Sequence, residues 1–420
     1  MLLGRPAKPG EPVSVDSTNT SSGWRLPVTL LGVMTIGAYG LVLYAFGAFV
    51  GPIRDDTGWS NTTVSSAFSV SALLGGLGAI ATGRLLDRIG IRPVIFGSLI
   101  TGAGLLWIAA SATDPLWFVL AWGVGGGIVS AGLFYNTTMA ATTRLTPAAE
   151  RPRAFSWLTV LGGLAAPATF PLAGWMVEAW GWRDAVRGMV GFLVVCSLPA
   201  IVFVRGGSAP DAPNHPGHAD EHHGFADVAA ALRSPTVRRW LIAVAAAMMS
   251  LVAIQVHHVP ALEASGLTLG AATTLASIRG LLSLPGRAAA APLVSIWGTV
   301  PALRVTYLMM AVGTAALIPG GANVWAFVIV TGLAFGTVAP LQGLYAAELY
   351  GPRRIGTLMG MQQVVMSLAT AAGPLLLGVT VDLTDGYTTL LVLAIALNAV
   401  ALAVFRSPAS APTSGVPSAS

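Results

Sequence analysis

Two arginines eight residues apart, Arg279 and Arg287, sit in LTLGAATTLASIRGLLSLPGRAAAAPLVSIWG (Leu267–Gly298), a stretch apolar and long enough to cross a bilayer. An arginine at the centre of a membrane helix costs roughly 2.5–3.5 kcal/mol on insertion scales. A chain that keeps two has a use for the charge. On a helix, eight residues place the guanidinium groups about 80° apart around the axis and roughly 12 Å along it. Both can then border one water-filled cavity at different depths. Pro285 and Gly286 lie between them, where a weakened backbone ladder is tolerable only if neighbouring helices or water satisfy the freed carbonyls. The seventeen Asp and Glu residues all assign to tails, loops or span ends, which leaves no evident counter-charge at mid-membrane. A planar guanidinium offers two parallel hydrogen bonds to a carboxylate. The implied chemistry is capture of an anion by Arg279, Arg287 or both.

Polar side chains that could orient such a guest are Tyr135, Asn136, Gln342, Gln362 and Gln363. Their alternative use is hydrogen bonding between helices. His257 and His258 lie toward the outer end of their apolar run, where a ring titrating near neutral pH could couple a proton. The plainer role is that of interfacial polar residues. His215, His218, His222 and His223 lack regular spacing and cysteine partners, so that tract reads as flexible linker and no metal is expected. The single cysteine, Cys196, lies in an apolar run and excludes a disulfide framework. There is no phosphate-binding loop of Walker type and no catalytic constellation that spacing can support. Neither an enzyme nor a cofactor is implied.

The elements that must hold these residues are membrane helices. Of 420 residues 54% are hydrophobic and only 9% charged, against about 25% charged in soluble domains. The net charge of +5 is dispersed over short loops, which argues against nucleic acid. Apolar runs of spanning length fall near Leu26–Val50, Val64–Leu86, Pro93–Ala112, Leu116–Ala140, Phe155–Val177 and Asp184–Val204. A second series follows near Trp240–Leu262, Gly270–Val294, Val300–Ile318, Val324–Ala346, Gly356–Val379 and Tyr387–Phe405. The expected class is therefore an all-α membrane protein of about twelve helices in two six-helix halves. Its domains would be a disordered tail over 1–25, a first half over 26–204, a polar link over 205–238, a second half over 239–405 and a tail over 406–420. The second part of the link, GFADVAAALRSPTVRRW, has the pattern of a short amphipathic helix on the membrane surface. Arginines crowd the loops on the side of the termini, and only Arg54, Arg183 and Arg187 fall on the other. This bias predicts both termini in the cytoplasm and lipid on every side. The halves also match each other: GRLLDRIGIRP (Gly83–Pro93) aligns with APLVSIWGTVP (Ala291–Pro301) at an offset of 208, sharing Leu85/Leu293, Gly90/Gly298 and Pro93/Pro301.

GRLLDRIGIRP closely resembles the G-x-L-x-D-R-x-G-x-R loop between the second and third helices of major facilitator superfamily (MFS) transporters, with Gly83, Leu85, Asp87, Arg88, Gly90 and Arg92 in the pattern's places. The resemblance implies the MFS fold and an alternating-access secondary carrier of the cytoplasmic membrane. In it Gly83, Asp87, Arg88, Gly90 and Arg92 would form the cytoplasmic gate. Within the family the likeness is to the monocarboxylate porter and oxalate/formate antiporter branch. It rests on DDTGWS (Asp55–Ser60), HHVPAL (His257–Leu262), PGR (Pro285–Arg287), ELYGPRRIGTLMG (Glu348–Gly360) and AGPLLLGVTVDLTDGY (Ala372–Tyr387). The branch's carboxylate-binding arginine lies eight residues before the aspartate of the second-half loop. Ser295 holds that aspartate's place, so the carry-over falls on Arg287, which the resemblance implies as main anchor, with Arg279 as assistant or entry site. The lysine used for oxalate is replaced by Gln362, which argues against a dicarboxylate clamp. Ala121 and Trp122 stand where many proton-coupled members carry an arginine. The implied cargo is a small organic anion, a monocarboxylate, with a proton or a counter-anion as coupling partner. The rivals are an exporter of amphiphilic or neutral compounds and a non-transporting receptor of the same fold.

Overall fold

The computed structural model describes residues 23–204 and 228–404, with the backbone alone over 351–357. The expected tails and most of the link fall outside the described residues. Twelve helical traverses run through the rest. The first half comprises α1 (Arg25–Thr57), α2 (Asn61–Ile89), α3 (Ile91–Ala109) and α4 (Pro115–Leu145), followed by a run over Ala148–Phe203. Gly181, at φ 76° and ψ 165°, breaks that run into α5 (148–180) and α6 (182–203). After a short helical stretch at 228–233, the second half holds α7 (Pro235–Ala264), α8 (Leu269–Trp297), α9 (Thr299–Leu317), α10 (Asn323–Tyr350), α11 (Leu358–Thr384) and α12 (Thr388–Val404). No strand occurs among the described residues.

The internal repeat is visible in the backbone. Ser60 and Thr268, 208 positions apart, each cap a 29-residue helix, accepting from the N–H of Thr63 and of Ala271. Those helices end at Gly90 (φ 86°, ψ 176°) and Gly298 (φ 82°, ψ 165°). That region is essentially closed to residues with a Cβ, which is why both copies of the loop carry glycine. Each glycine N–H bonds back to a carbonyl four residues earlier, Leu86 O and Val294 O, and the chain turns directly into the next helix.

Three helices depart from regularity. α1 contains a π-helical turn at Gly40–Tyr44, a feature that adds a residue to the turn and often marks functional sites. α4 is interrupted at Phe134, whose backbone is extended (φ −83°, ψ −178°); Thr137 Oγ1 bonds the freed Ala131 carbonyl at 3.0 Å. α5 loosens at Leu164 (φ −78°, ψ −5°). By contrast α8 runs unbroken past Pro285 and Gly286, so the expected weak point is helical. α1 also runs further than its apolar stretch, to Thr57. Arg54, expected in a loop, lies in its last turn, and Gly58 in the left-handed region ends the helix.

Candidate substrate-binding site

Arg287 reaches a cavity of about 370 Å³ between the two halves, lined from α1, α4, α5, α7, α8, α10 and α11. What sets its position is close backbone packing of α8 on α10. A Cβ on Gly336 would fall 2.0 Å from Ser283 O and 2.8 Å from Arg287 N; one on Gly286 would fall 2.2 Å from Leu333 O. Small residues let membrane helices approach this closely, so the Arg287 backbone is fixed by contact with α10. Gly336→Ala is expected to lower the unfolding temperature in detergent and to depress transport, because overpacking of this kind costs about 1–3 kcal/mol. Uptake and a melting curve on the same preparation check it.

Around Arg287 the wall combines few polar groups with many apolar ones. Tyr135, from the break in α4, lies beside the guanidinium. Gln255 of α7 is 2% exposed, and its amide nitrogen has no partner among the described residues. Gln342 of α10 donates to Tyr307 Oη at 3.2 Å, and its oxygen has no partner among the described residues. Tyr39 stacks on Phe134 with centroids 3.8 Å apart, and Tyr44, Met248, Leu251 and Phe335 complete the apolar surface. Among the described residues no carboxylate pairs with Arg287.

Arg279 occupies a different position. It is 2% exposed, with Nε donating to Thr331 Oγ1 at 2.9 Å and Nη1 to Gln255 Oε1 at 3.1 Å. Its guanidinium carbon lies 5.2 Å from the Phe335 ring centre and 5.7 Å from that of Phe327. It therefore stands behind the wall formed by Gln255 and Phe335. Asn136 and Gln363 line a second cavity of about 230 Å³, which shares Tyr39, Leu43, Phe134 and Met248 with the first. Gln362 is placed elsewhere: its oxygen accepts from Trp240 Nε1 at 2.7 Å and Tyr350 Oη at 3.0 Å.

His257 and His258 are fully buried. His257 Nε2 lies 3.2 Å from both Ser65 Oγ of α2 and Pro374 O of α11, at a seam between the halves. His258 Nδ1 faces the carbonyls of Ile254 and Gln255 in its own helix at 2.9 and 3.0 Å.

Ends of the bundle differ. Asp382, in the last turn of α11, accepts from the backbone N–H groups of Asn61 (2.8 Å) and Thr62 (2.7 Å), from the Asn61 amide (3.0 Å) and from Thr62 Oγ1 (2.5 Å). A carboxylate from one half thus caps the first turn of a helix in the other, where unpaired N–H groups and the helix dipole both favour negative charge. Glu178, late in α5, does the same for α8 by accepting from Gly270 N at 2.8 Å. Among the described residues, hydrogen bonds between halves concentrate at this end, with Ser277 Oγ to Pro167 O (2.9 Å) further in. At the other end Asp87 pairs with Arg144 of its own half, and Arg144 Nη1 also donates to Leu86 O at 2.9 Å. Asp87 remains 71% exposed, and Gly83, Arg88 and Arg92 are exposed beside it, with Gly90 in the turn.

Sequence reasoning did not single out Tyr39, Tyr44, Gln255 or Phe335 in the cavity wall, nor Arg144 and Asp382 as contacts. Asp382 lay within a motif already quoted. Nothing local distinguishes the cavity-wall residues from ordinary span residues.

Comparison with known proteins agrees with this architecture. A crystal structure of the nucleoside transporter NupG superposes with a TM-score of 0.75 at 15% identity, covering 92% of this chain and all of that one; the likeness concerns the fold alone. Monocarboxylate transporter 3 of Rattus norvegicus is 27% identical over 86% of this chain and 75% of its own length. Monocarboxylate transporter 13 of Bos taurus is 26% identical over 89% and 86%. A gentisate transporter of Corynebacterium glutamicum is 28% identical, over 49% of this chain and 47% of that protein, so the chain spans about half the length of that relative. The family model described as Major Facilitator Superfamily matches residues 28–374, and this multi-pass membrane chain belongs to that superfamily.

Proposed function

We propose that the protein is a secondary transporter that carries a small organic monocarboxylate by alternating access. The observation that carries the reading is Arg287, a guanidinium lining a cavity between the halves with no carboxylate partner among the described residues. An unpaired cation at this depth, half-buried as Arg287 is, calls for an anionic ligand, water or carbonyls. One charge on the cargo is favoured because Arg279 is held behind the wall and Gln362 faces Trp240 and Tyr350. An apolar or ring-bearing body would suit Tyr39, Phe134 and Phe335, in keeping with the relatives named for gentisate and monocarboxylates. Tyr135, Gln255 and Gln342 would orient the cargo, with Asn136 and Gln363 along the adjoining path and Arg279 stiffening the wall.

The arginine bias supports a cytoplasmic position for the Asp87 end. The hydrogen bonds that join the Asp382 end support reading this arrangement as a state closed on the outer side. Asp87, Arg88 and Arg92, with Gly83 and Gly90 shaping their loop, would engage the second half in the opposite state. A panel of acids added to the purified chain tests the cargo class. Benzoate and lactate are expected to raise the unfolding temperature, since a ligand bound to the native state stabilises it, and succinate is expected to do so less. No shift with any monocarboxylate, together with dye efflux from liposomes, would overturn the reading. Flux at two pH values tests whether a proton travels with the cargo through His257 or His258, or a counter-anion does.

A further inference from the structure

The outward face of α5 carries a second kind of site, independent of the cargo. Exposed residues recur along it every three to seven positions: Arg153, Trp157, Val160, Leu164, Pro171 and Trp175. Trp157 is 45% and Trp175 54% exposed. A continuous exposed stripe of this composition on a spanning helix faces acyl chains. The two indoles are 18 residues apart, roughly 27 Å along a helix, close to the hydrocarbon thickness of about 30 Å. They therefore mark the two interfaces, where tryptophan concentrates. Arg153 stands one turn beyond Trp157, at the depth of the headgroups.

Next to it the start of α1 contributes Trp24, Arg25 and Thr29, and the five side chains enclose a cavity of about 370 Å³. Its shape is held by hydrogen bonds. Trp157 Nε1 donates to Thr29 Oγ1 at 2.9 Å, tying α5 to α1. Trp24 Nε1 donates to Glu150 Oε2 at 3.0 Å, which engages that nearby carboxylate. Arg25 and Arg153 are exposed, and among the described residues neither has a carboxylate partner. Two free guanidinium groups over an indole-walled cavity, at the rim of a lipid-facing stripe, have the chemistry of a phosphodiester headgroup site.

We propose that this groove binds the headgroup of an anionic phospholipid from the leaflet at the Asp87 end. Arg25 and Arg153 hold its phosphate, and Trp157 packs against the upper acyl chain. A free phosphate compound shares the first contact but not the second.

The test uses the full chain purified in detergent, with lipid retention read by native mass spectrometry across a titration. Phosphatidylglycerol is expected to bind wild type roughly 25-fold more tightly than it binds an Arg25→Ala/Arg153→Ala variant, since each arginine near the headgroups contributes about fivefold. Phosphatidylcholine is expected to bind weakly to both. Arg304→Ala, an exposed arginine on α9, serves as control and should leave phosphatidylglycerol binding near wild type. If the alanine pair impairs folding, Arg25→Lys/Arg153→Lys keeps the charge and should retain most of the preference over phosphatidylcholine. Equal retention in wild type and the alanine pair, a lysine pair that binds both lipids alike, or no preference over phosphatidylcholine overturns the site. Glycerol 3-phosphate displacing the lipid at equal concentration would show a soluble phosphate site and overturn the lipid assignment. None of these readouts depends on carboxylate transport.

Discussion

Arg287→Ala is expected to reduce carboxylate uptake at least about 30-fold while expression and fold are retained. On the proposed reading the estimate takes the low end, about 2 kcal/mol, of the cost of truncating one partner of a hydrogen-bonded charge pair, or roughly 30-fold in affinity, because the guanidinium is half-buried. Removing the side chain should not unfold the protein. Arg287 is only half-buried, and its backbone is positioned by the packing of α8 against Gly336. Arg287→Lys is the sharper variant. It preserves charge but loses the planar fork that grips both carboxylate oxygens, so uptake should stay well below wild type. Initial-rate uptake into proteoliposomes, normalised to inserted protein, measures both. Wild-type rates in both variants would remove Arg287 from the site. Arg279→Ala should behave differently. It strips Gln255 and Thr331 of their shared partner and leaves the cavity wall loosened, so a lowered unfolding temperature should accompany any loss of uptake.

Asp382→Ala is expected to release the joined end of the bundle. Four hydrogen bonds converge on that carboxylate, two of them from backbone N–H groups at the start of α2. Hydrogen bonds to a charged group are worth about 1.5–3 kcal/mol each. In the other state water takes over much of that bonding, so a net shift of about 2–3 kcal/mol is expected, or roughly 30- to 150-fold in the equilibrium between states. A cysteine placed at Ser65, which faces His257 across the seam, reports the change. The one native thiol, Cys196, is buried. Labelling of Ser65→Cys by a membrane-impermeant maleimide should speed up at least tenfold when Asp382→Ala is added. Asp382→Asn keeps one acceptor oxygen and should fall between. Unchanged labelling would mean that other contacts, such as Glu178 with Gly270, keep this end shut without Asp382.

Much of the architecture was legible from local patterns. Spanning helices follow from apolar length, and the doubled fold follows from two loops whose glycines 90 and 298 need a backbone region that a Cβ forbids. The two arginines stood out too, because a cation among apolar residues is costly wherever the helix turns. What could not be read was which side of each helix meets the cavity. Charge and spacing did not separate Arg279 from Arg287; the family resemblance alone did so. The angle of about 80° between them sends one against Gln255 and Thr331 and the other into open space. Gln362 and Gln363 diverge in the same way, one onto Trp240 and the other to the second cavity.

Hydropathy, charge bias and glycine placement therefore determined, from the chain alone, that this is a twelve-helix membrane protein of two matched halves with unneutralised positive charge at depth. Each of those properties belongs to a segment and survives any rotation of that segment. The cavity wall, the retreat of Arg279 and the capping of α2 by Asp382 depend instead on how distant helices are turned and how closely they approach. Only tertiary packing decides that, because residues 61 and 382, or 135 and 287, share no local pattern until the helices are set side by side.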